Sequence, residues 1–428
     1  MLHLLLGTDW TANRDEVMKR IAADVAGRRG NRILMVPELI SHETERRLCA
    51  AAGDTASRYA EVLSFTRLAR RVADSMGSAA EECLDNGGRV VAMAAAAKNL
   101  SSRLKAYAAV ETKPEFLTGL IDAVDEFKRC CISSADLSRA AGETEGSLAQ
   151  KLEELSLLME SYDALCSRGK RDPRDQMTWL LEQMEQGDFA KEHVFYIDGF
   201  PDFTRQHLAI LEHLIQASPD VTVSLNCDRE SSHLLAFEKA GDTASQLLRC
   251  ARRAGVEVKI EIIPEKRLPL SPVRERLFQG VICSGAAKEC LDVFRAESPY
   301  LECMGAAERI RGLLAAGCRC RDITVVCTDM TVYQPLVNLV FHRLHIPVYQ
   351  SGTEDILQKS VIATVLMALD AALSGFDQKS VLRYLRSALS PVDPDTCDRI
   401  ENYAIIWGIR GQKWTQSWEN HPDGLSGV

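Results

Sequence analysis

Leu2-His3-Leu4-Leu5-Leu6, then Gly7-Thr8-Asp9-Trp10-Thr11-Ala12-Asn13-Arg14, then Asp15 to Arg29 and Arg32-Ile33-Leu34-Met35-Val36 read as strand, turn, helix and strand. The two apolar runs are short and uninterrupted, the pattern of strands buried on both faces of a parallel sheet. Val17, Ile21 and Val25 lie one turn apart on the helix between them. This is the opening of an α/β domain, and its first strand-to-helix turn is where a phosphate-cradling P-loop would sit. Such a loop needs glycines so that backbone N–H groups can close on phosphate, then Lys for the β- and γ-phosphates and Ser or Thr for Mg²⁺. Only Gly7 fits. Trp10 and Ala12 stand where small flexible residues are wanted, Asn13-Arg14 stands where Lys-Ser/Thr is wanted, and Asp9 would turn a negative charge toward phosphate. Gly7, Thr11, Asn13 and Arg14 are thus the candidates for a degenerate nucleotide loop.

Outward from this unit, the α/β alternation continues. A helix is expected over His42 to Ala52, a strand at Glu61-Val62-Leu63-Ser64-Phe65 and a helix over Thr66 to Met76. Residues 88–187 change character. Val91 to Tyr107, Glu115 to Cys131, Leu148 to Arg168 and Pro173 to Gln186 read as helices with no convincing strand between them, which makes a helical insertion. Strands return at Val194-Phe195-Tyr196-Ile197, Val221 to Leu225 and Val256 to Ile263, with a helix from Thr204 to Gln216. The expected organisation is therefore a first domain from 1–87 plus 188–265, the insertion at 88–187, a Pro-bearing linker at 266–290 and a second α/β domain at 291–428. In the second domain, strands are expected near Val293-Phe294, at Asp322 to Cys327 and at Pro347-Val348-Tyr349. Helices are expected at Cys303 to Ala316, Val332 to Leu344 and beyond Ser360.

With 428 residues there is room for two or three domains. The net charge of −9 argues against a protein that coats nucleic acid wholesale, while local basic faces remain open. Arg outnumbers Lys, which suits bidentate phosphate contacts but also follows from codon bias. The 14 cysteines include Cys130-Cys131, Cys318-x-Cys320 and Cys283-x₆-Cys290, none with the paired spacing of a zinc site. No secretory leader and no bilayer-spanning run is read, so a reducing cytoplasm with free thiols is expected.

Two further sites carry possible chemistry. Asp198 ends an apolar strand, where P-loop enzymes hold Mg²⁺; Gly199 follows where a second carboxylate would polarise water, and the alternative is an Asp that caps the next turn. Ser64-Phe65-Thr66-Arg67 lies at a strand-to-helix turn on the same predicted edge. A hydroxyl, an aromatic ring and a guanidinium there suit phosphate and a stacked base. The alternative is a Thr66 cap with Phe65 in the core. The basic faces at Arg249, Arg252 and Arg253, at Arg309 with Arg311, and at Arg319 with Arg321 read first as solvated surface. His207 with His213 and His342 with His345 make no zinc site, and no nucleophilic triad or nuclease carboxylate cluster is evident.

Several segments together resemble one family. Ile33 to Glu38 with Glu43 to Leu48, and Val62 to Val72, are similar to the N-terminus of AddB proteins, the B subunits of bacterial AddAB-type ATP-dependent helicase/deoxyribonucleases. Tyr196-Ile197-Asp198-Gly199-Phe200 with Phe203-Thr204 resembles the family's DGF…FT segment. Arg321 to Val326 through Tyr333, Pro335-Leu336 and Ile346-Pro347 resembles its second helicase-like domain, and Glu401-Asn402-Tyr403 with Gly408 to Gly411 and Trp414 a further segment. The resemblance implies tandem RecA-like domains of the superfamily-1 helicase, P-loop NTPase fold, with a large helical insertion. It implies a DNA-guiding subunit of a helicase/exonuclease complex that repairs double-strand breaks by homologous recombination, with an AddA-type helicase/nuclease subunit and single-stranded or forked DNA as partners and no membrane. Ser64, Phe65 and Thr66 match the segment that touches single-stranded DNA, and Asp198 the Walker B position. Two departures stand out: family members that bind nucleotide have an intact Gly-Lys-Ser/Thr loop, and the family's C-terminal nuclease domain with its four-cysteine iron–sulfur cluster has no counterpart here. The chain is therefore expected to be an N-terminal portion that carries no cofactor and does not hydrolyse ATP. A working ATPase that uses Arg14 on phosphate, and a scaffold that mainly contacts its partner, are the other two readings.

Overall fold

A computed structural model describes residues 1–77, 83–108, 113–168, 170–229, 234–265, 269–273, 277, 291–350 and 356–427. Most of the expected linker at 266–290 lies outside these residues. The chain separates into two compact units, Met1–Asp292 and Val293–Val428.

The first unit is built on six parallel strands, β1 (Leu2–Gly7), β2 (Arg32–Met35), β3 (Ala60–Leu63), β4 (Val194–Ile197), β5 (Val221–Asn226) and β6 (Val258–Ile262), in the order β3-β2-β4-β5-β1-β6. Leu2, Leu4, Leu5 and Leu6 of β1 are wholly buried, because helices cover both faces of this inner strand. Burial of each such side chain contributes about 2 kcal/mol before entropy is counted. β6 is an edge and is less covered, with Lys259, Ile260 and Ile262 exposed and Glu261 bonded to Arg20 of the first helix at 2.8 Å. The helices are α1 (Trp10–Ala26) and α2 (Ser41–Ala52) between the first three strands; α3 (Phe65–Ser75), α4 (Asn86–Asn99), α5 (Pro114–Arg129), α6 (Ser134–Gly142), α7 (Gly146–Cys166), α8 (Gln176–Gln186) and the short α9 (Phe189–Glu192) between β3 and β4; then α10 (Arg205–Ala217) and α11 (Glu238–Ala254). α11 was not anticipated beyond its basic face.

The helical block has its own core around Met93, Ile121, Leu158 and Tyr162, and a buried charge network beside it. Asp172, fully buried, faces Arg89 at 3.4 Å and Lys128 at 3.1 Å; Lys128 also meets Asp163 and Asp175 at 2.7 Å, and Arg89 is hydrogen-bonded to Asp125 and to Tyr162. Burial would push the Asp125 carboxyl up, but hydrogen bonds from Arg89 and Arg174 outweigh it and hold it below its usual range. The network joins α4, α5 and α7 to the segment Pro173–Asp175 that returns the chain to the sheet.

The second unit differs from expectation. It contains α12 (Pro299–Ala315), α13 (Met330–Arg343), α14 (Ser360–Leu373), α15 (Gln378–Leu385) and α16 (Pro394–Trp407), and no strand among the described residues. The strands expected at Val293-Phe294, Asp322 to Cys327 and Pro347 to Tyr349 do not form. A strand exists only through hydrogen bonds to a neighbour, and no strand among the described residues pairs with these runs, whose Val293, Val326 and Tyr349 are 82%, 86% and 90% exposed. The second sheet of a tandem RecA-like pair is thus not seen. What packs in this unit is helix against helix, Cys303, Ala307 and Ile310 on Val337, Val340 and Phe341, and a small cluster in which Tyr403 stacks on Trp418 at 4.9 Å.

No helix among the described residues is long and apolar enough to cross a membrane.

Candidate functional site

Because all six strands are parallel, the residues that follow β1, β2, β3, β4 and β5 share one edge, the place where open α/β sheets bind ligands. The turn after β1 is shorter than the sequence suggests. α1 begins at Trp10 rather than Asp15, since Asp9 caps it: its carboxylate accepts hydrogen bonds from Thr11 N at 3.0 Å and Ala12 N at 3.3 Å. An anion at a helix N-terminus satisfies unpaired N–H groups and the helix dipole. Here that anion is a side chain of the loop itself. Thr11 lies exposed in the first turn.

Asn13 faces inward. Its amide donates to Gly7 O at 2.9 Å and to Leu225 O at 3.1 Å, which ties the start of α1 to the ends of β1 and β5. Gly7 is needed for this packing, because a Cβ there would meet Asn13 Oδ1 at 2.1 Å. Arg14 points across the edge to Asp198: Nε stands 3.1 Å from Oδ2, and both side chains are 7% exposed. The guanidinium also lies over the Trp10 ring, 4.5 Å from its centroid. Asp198 N donates to Met35 O at 3.0 Å, and Gly199 then turns with φ +82, a left-handed conformation. Trp10, Arg14, Ile40, Asp198, Phe200, Ser224 and Asn226 line a cleft of about 390 Å³. Gly7, Asn13, Arg14 and Asp198 therefore converge.

The second candidate loop is tied down differently. Ser64, not Thr66, caps α3: its hydroxyl accepts from Arg67 N at 3.2 Å and donates to the Glu38 carboxylate. Phe65 is 5% exposed, stacked on His207 at 4.1 Å and edge-on to Phe200 at 5.5 Å and Phe203 at 6.5 Å. Its ring is core, as the blander reading of the turn had it. Thr66 is half-buried, and Arg67 reaches Glu45 at 2.8 Å while 40% exposed. Burial holds His207 at about pKa 4, against a weaker upward pull from Asp202. Phe200 belongs both to this aromatic knot and to the cleft wall, so the two candidate loops are packed through one ring. Sequence reasoning missed Asp9 as a cap, Glu38 and His207. Only the first had a local signal, an Asp two residues before Thr11 at the head of an amphipathic run.

Comparison with known proteins agrees on one family. The family model described as "ADDB, N-terminal" matches residues 4–273. A relative from Clostridium acetobutylicum, named as the B subunit of an ATP-dependent helicase/deoxyribonuclease, is 26% identical over 92% of this chain and 36% of its own length. Relatives of the same name from Desulforamulus reducens and Desulforudis audaxviator are 28% and 29% identical over 90% and 91% of this chain, and 35% of their own. The chain thus spans about a third of the length of these relatives. The match covers both candidate loops, all of β2 to β6 and β1 from Leu4 onward, and the chain belongs to the AddB family.

Proposed function

We propose that this chain is the helicase-like, DNA-guiding part of the B subunit of a helicase/deoxyribonuclease, and that it does not hydrolyse ATP or hold its phosphates. On this reading the sheet domain is a RecA-like motor fold without its motor. The partner is an AddA-type helicase/nuclease subunit that drives translocation, and the task is double-strand-break processing for recombination. The observation that carries the reading is the closure of the β1–α1 turn on itself. The helix N–H groups hold the Asp9 carboxylate, and the cation that could meet phosphate, Arg14, is paired with the acid that could meet Mg²⁺, Asp198. ATP does not fit such a loop, because each contact it needs would first have to be broken. Strand guidance falls to the edge around Ser64, Thr66 and Arg67, through the exposed part of Arg67 and through backbone rather than the Phe65 ring.

Titration calorimetry with ATP and Mg²⁺ is expected to give no heat that depends on Mg²⁺ or on Asp198, and single-strand binding is expected to weaken steeply with salt and on Arg67→Ala. A saturable ATP heat abolished by Asp198→Ala would overturn the first statement. Salt-insensitive binding, or none even with the partner subunit present, would overturn the second. A scaffold role can coexist, and it is favoured by α14, where Val361, Val365, Leu369 and Leu373 are exposed along one helix.

A further inference from the structure

The cleft that ATP does not fit has properties of its own. It is electrically closed: Arg14 and Asp198 neutralise one another and Asp9 holds the helix N–H groups, so an anion entering it finds no unpaired cation among the described lining residues. It is open on an aromatic. Trp10 is 56% exposed although Arg14 lies against its ring, whereas Phe65, Phe195 and Tyr196 of the same unit are buried. Part of its lining is polar and uncharged. Ser224 and Asn226 end β5 there; the Asn226 amide, turned to donate, lies 3.0 Å from Gly7 O and 3.1 Å from Thr8 O, which leaves its carbonyl as an acceptor. A flat, neutral, hydrogen-bonding heteroaromatic suits all three features. It stacks on Trp10, meets Asn226 and Ser224 with its edge, and brings no charge.

We propose that this cleft binds a single nucleobase, stacked on Trp10, in the place an adenosine triphosphate would take in a motor domain. The base can come from a single strand passing along the sheet edge, and that source rests on the DNA-guiding reading; a free nucleoside offers the same chemistry.

The test measures binding of a labelled eight-nucleotide single strand, and of adenosine and deoxycytidine, to the wild-type chain, Trp10→Ala and Trp10→Phe. Trp10 is largely exposed, so both variants are expected to fold. Loss of one stacked base corresponds to about tenfold weaker oligonucleotide binding by Trp10→Ala. The salt slope should stay unchanged, since no phosphate contact is lost, and Trp10→Phe should recover most of the affinity. An abasic position in the strand should weaken wild type and leave Trp10→Ala unaffected. If the wild type binds no strand at any salt, yet a nucleoside binds saturably and Trp10→Ala abolishes it, the DNA reading fails and the pocket stands with a free nucleoside as its ligand. Wild-type affinity in Trp10→Ala with no nucleoside binding overturns the pocket. ATP with Mg²⁺ binding far more tightly than adenosine also overturns it, because the site then recognises phosphate.

Discussion

Ile33-Leu34-Met35-Val36 and Ile323-Thr324-Val325-Val326 are near-equivalent runs as sequence, and the molecule treats them in opposite ways. The first makes β2, bonded to β3 on one side and β4 on the other, with Leu34 1% exposed. The second forms no strand, and its valines at 325 and 326 are 45% and 86% exposed. β propensity is a statement about fitting a pleated, covered surface. Where no neighbouring strand offers that surface, the same residues stay unpaired.

The comparison is broken or sharpened most directly by amide exchange. The Leu34 and Met35 amides should exchange only through large-scale opening, about a thousandfold or more slower than those of Thr324 to Val326. Comparable protection in both runs would mean that the second is paired in solution. Next in size are paired truncations read by chemical denaturation. Leu34→Ala is expected to cost about 3 kcal/mol, against at most about 0.5 kcal/mol for Val326→Thr; equal costs would erase the contrast. The smallest effect is a pH dependence of the covered unit between about pH 6.5 and 4. His207 has a folded pKa of about 4, below the about 6.5 of an unfolded histidine. The unfolded chain therefore binds the extra proton between these values, and stability falls as pH drops from about 6.5 toward 4. This amounts to about 2 kcal/mol at pH 5. His207→Phe keeps a ring against Phe65 but carries no proton, so its stability should change less over this range than that of the wild type. An identical pH profile in the variant would remove His207 from the account.

The same contrast explains what was legible. β1 to β5 stand where the apolar runs are, within a residue or two, and the inner strands β1, β2, β4 and β5 are uniform enough to be buried on both faces. The edge strand β6 was legible too, although three of its five residues are exposed. The site was legible as a convergence of Gly7, Asn13, Arg14 and Asp198, because strand ends in a parallel sheet share an edge whatever the intervening loops do. Its internal wiring was not. That Asp9 would close on the helix, that Arg14 would find a partner 184 positions away, and that Phe65 would turn inward onto His207 depend on which side chains the sheet order makes neighbours.

Composition, hydrophobic period and the residues at 7–14 were enough to determine an α/β sheet whose first turn lacks the glycines and lysine of a P-loop, for those are properties of short stretches of chain. Tertiary structure alone decided that the turn is closed by its own charges, that Trp10 is left facing an open cleft, and that the second set of apolar runs makes no strands. Hydrogen bonds between strands, ion pairs across a sheet edge and the burial of a ring all need a partner distant in sequence, and no local pattern encodes one.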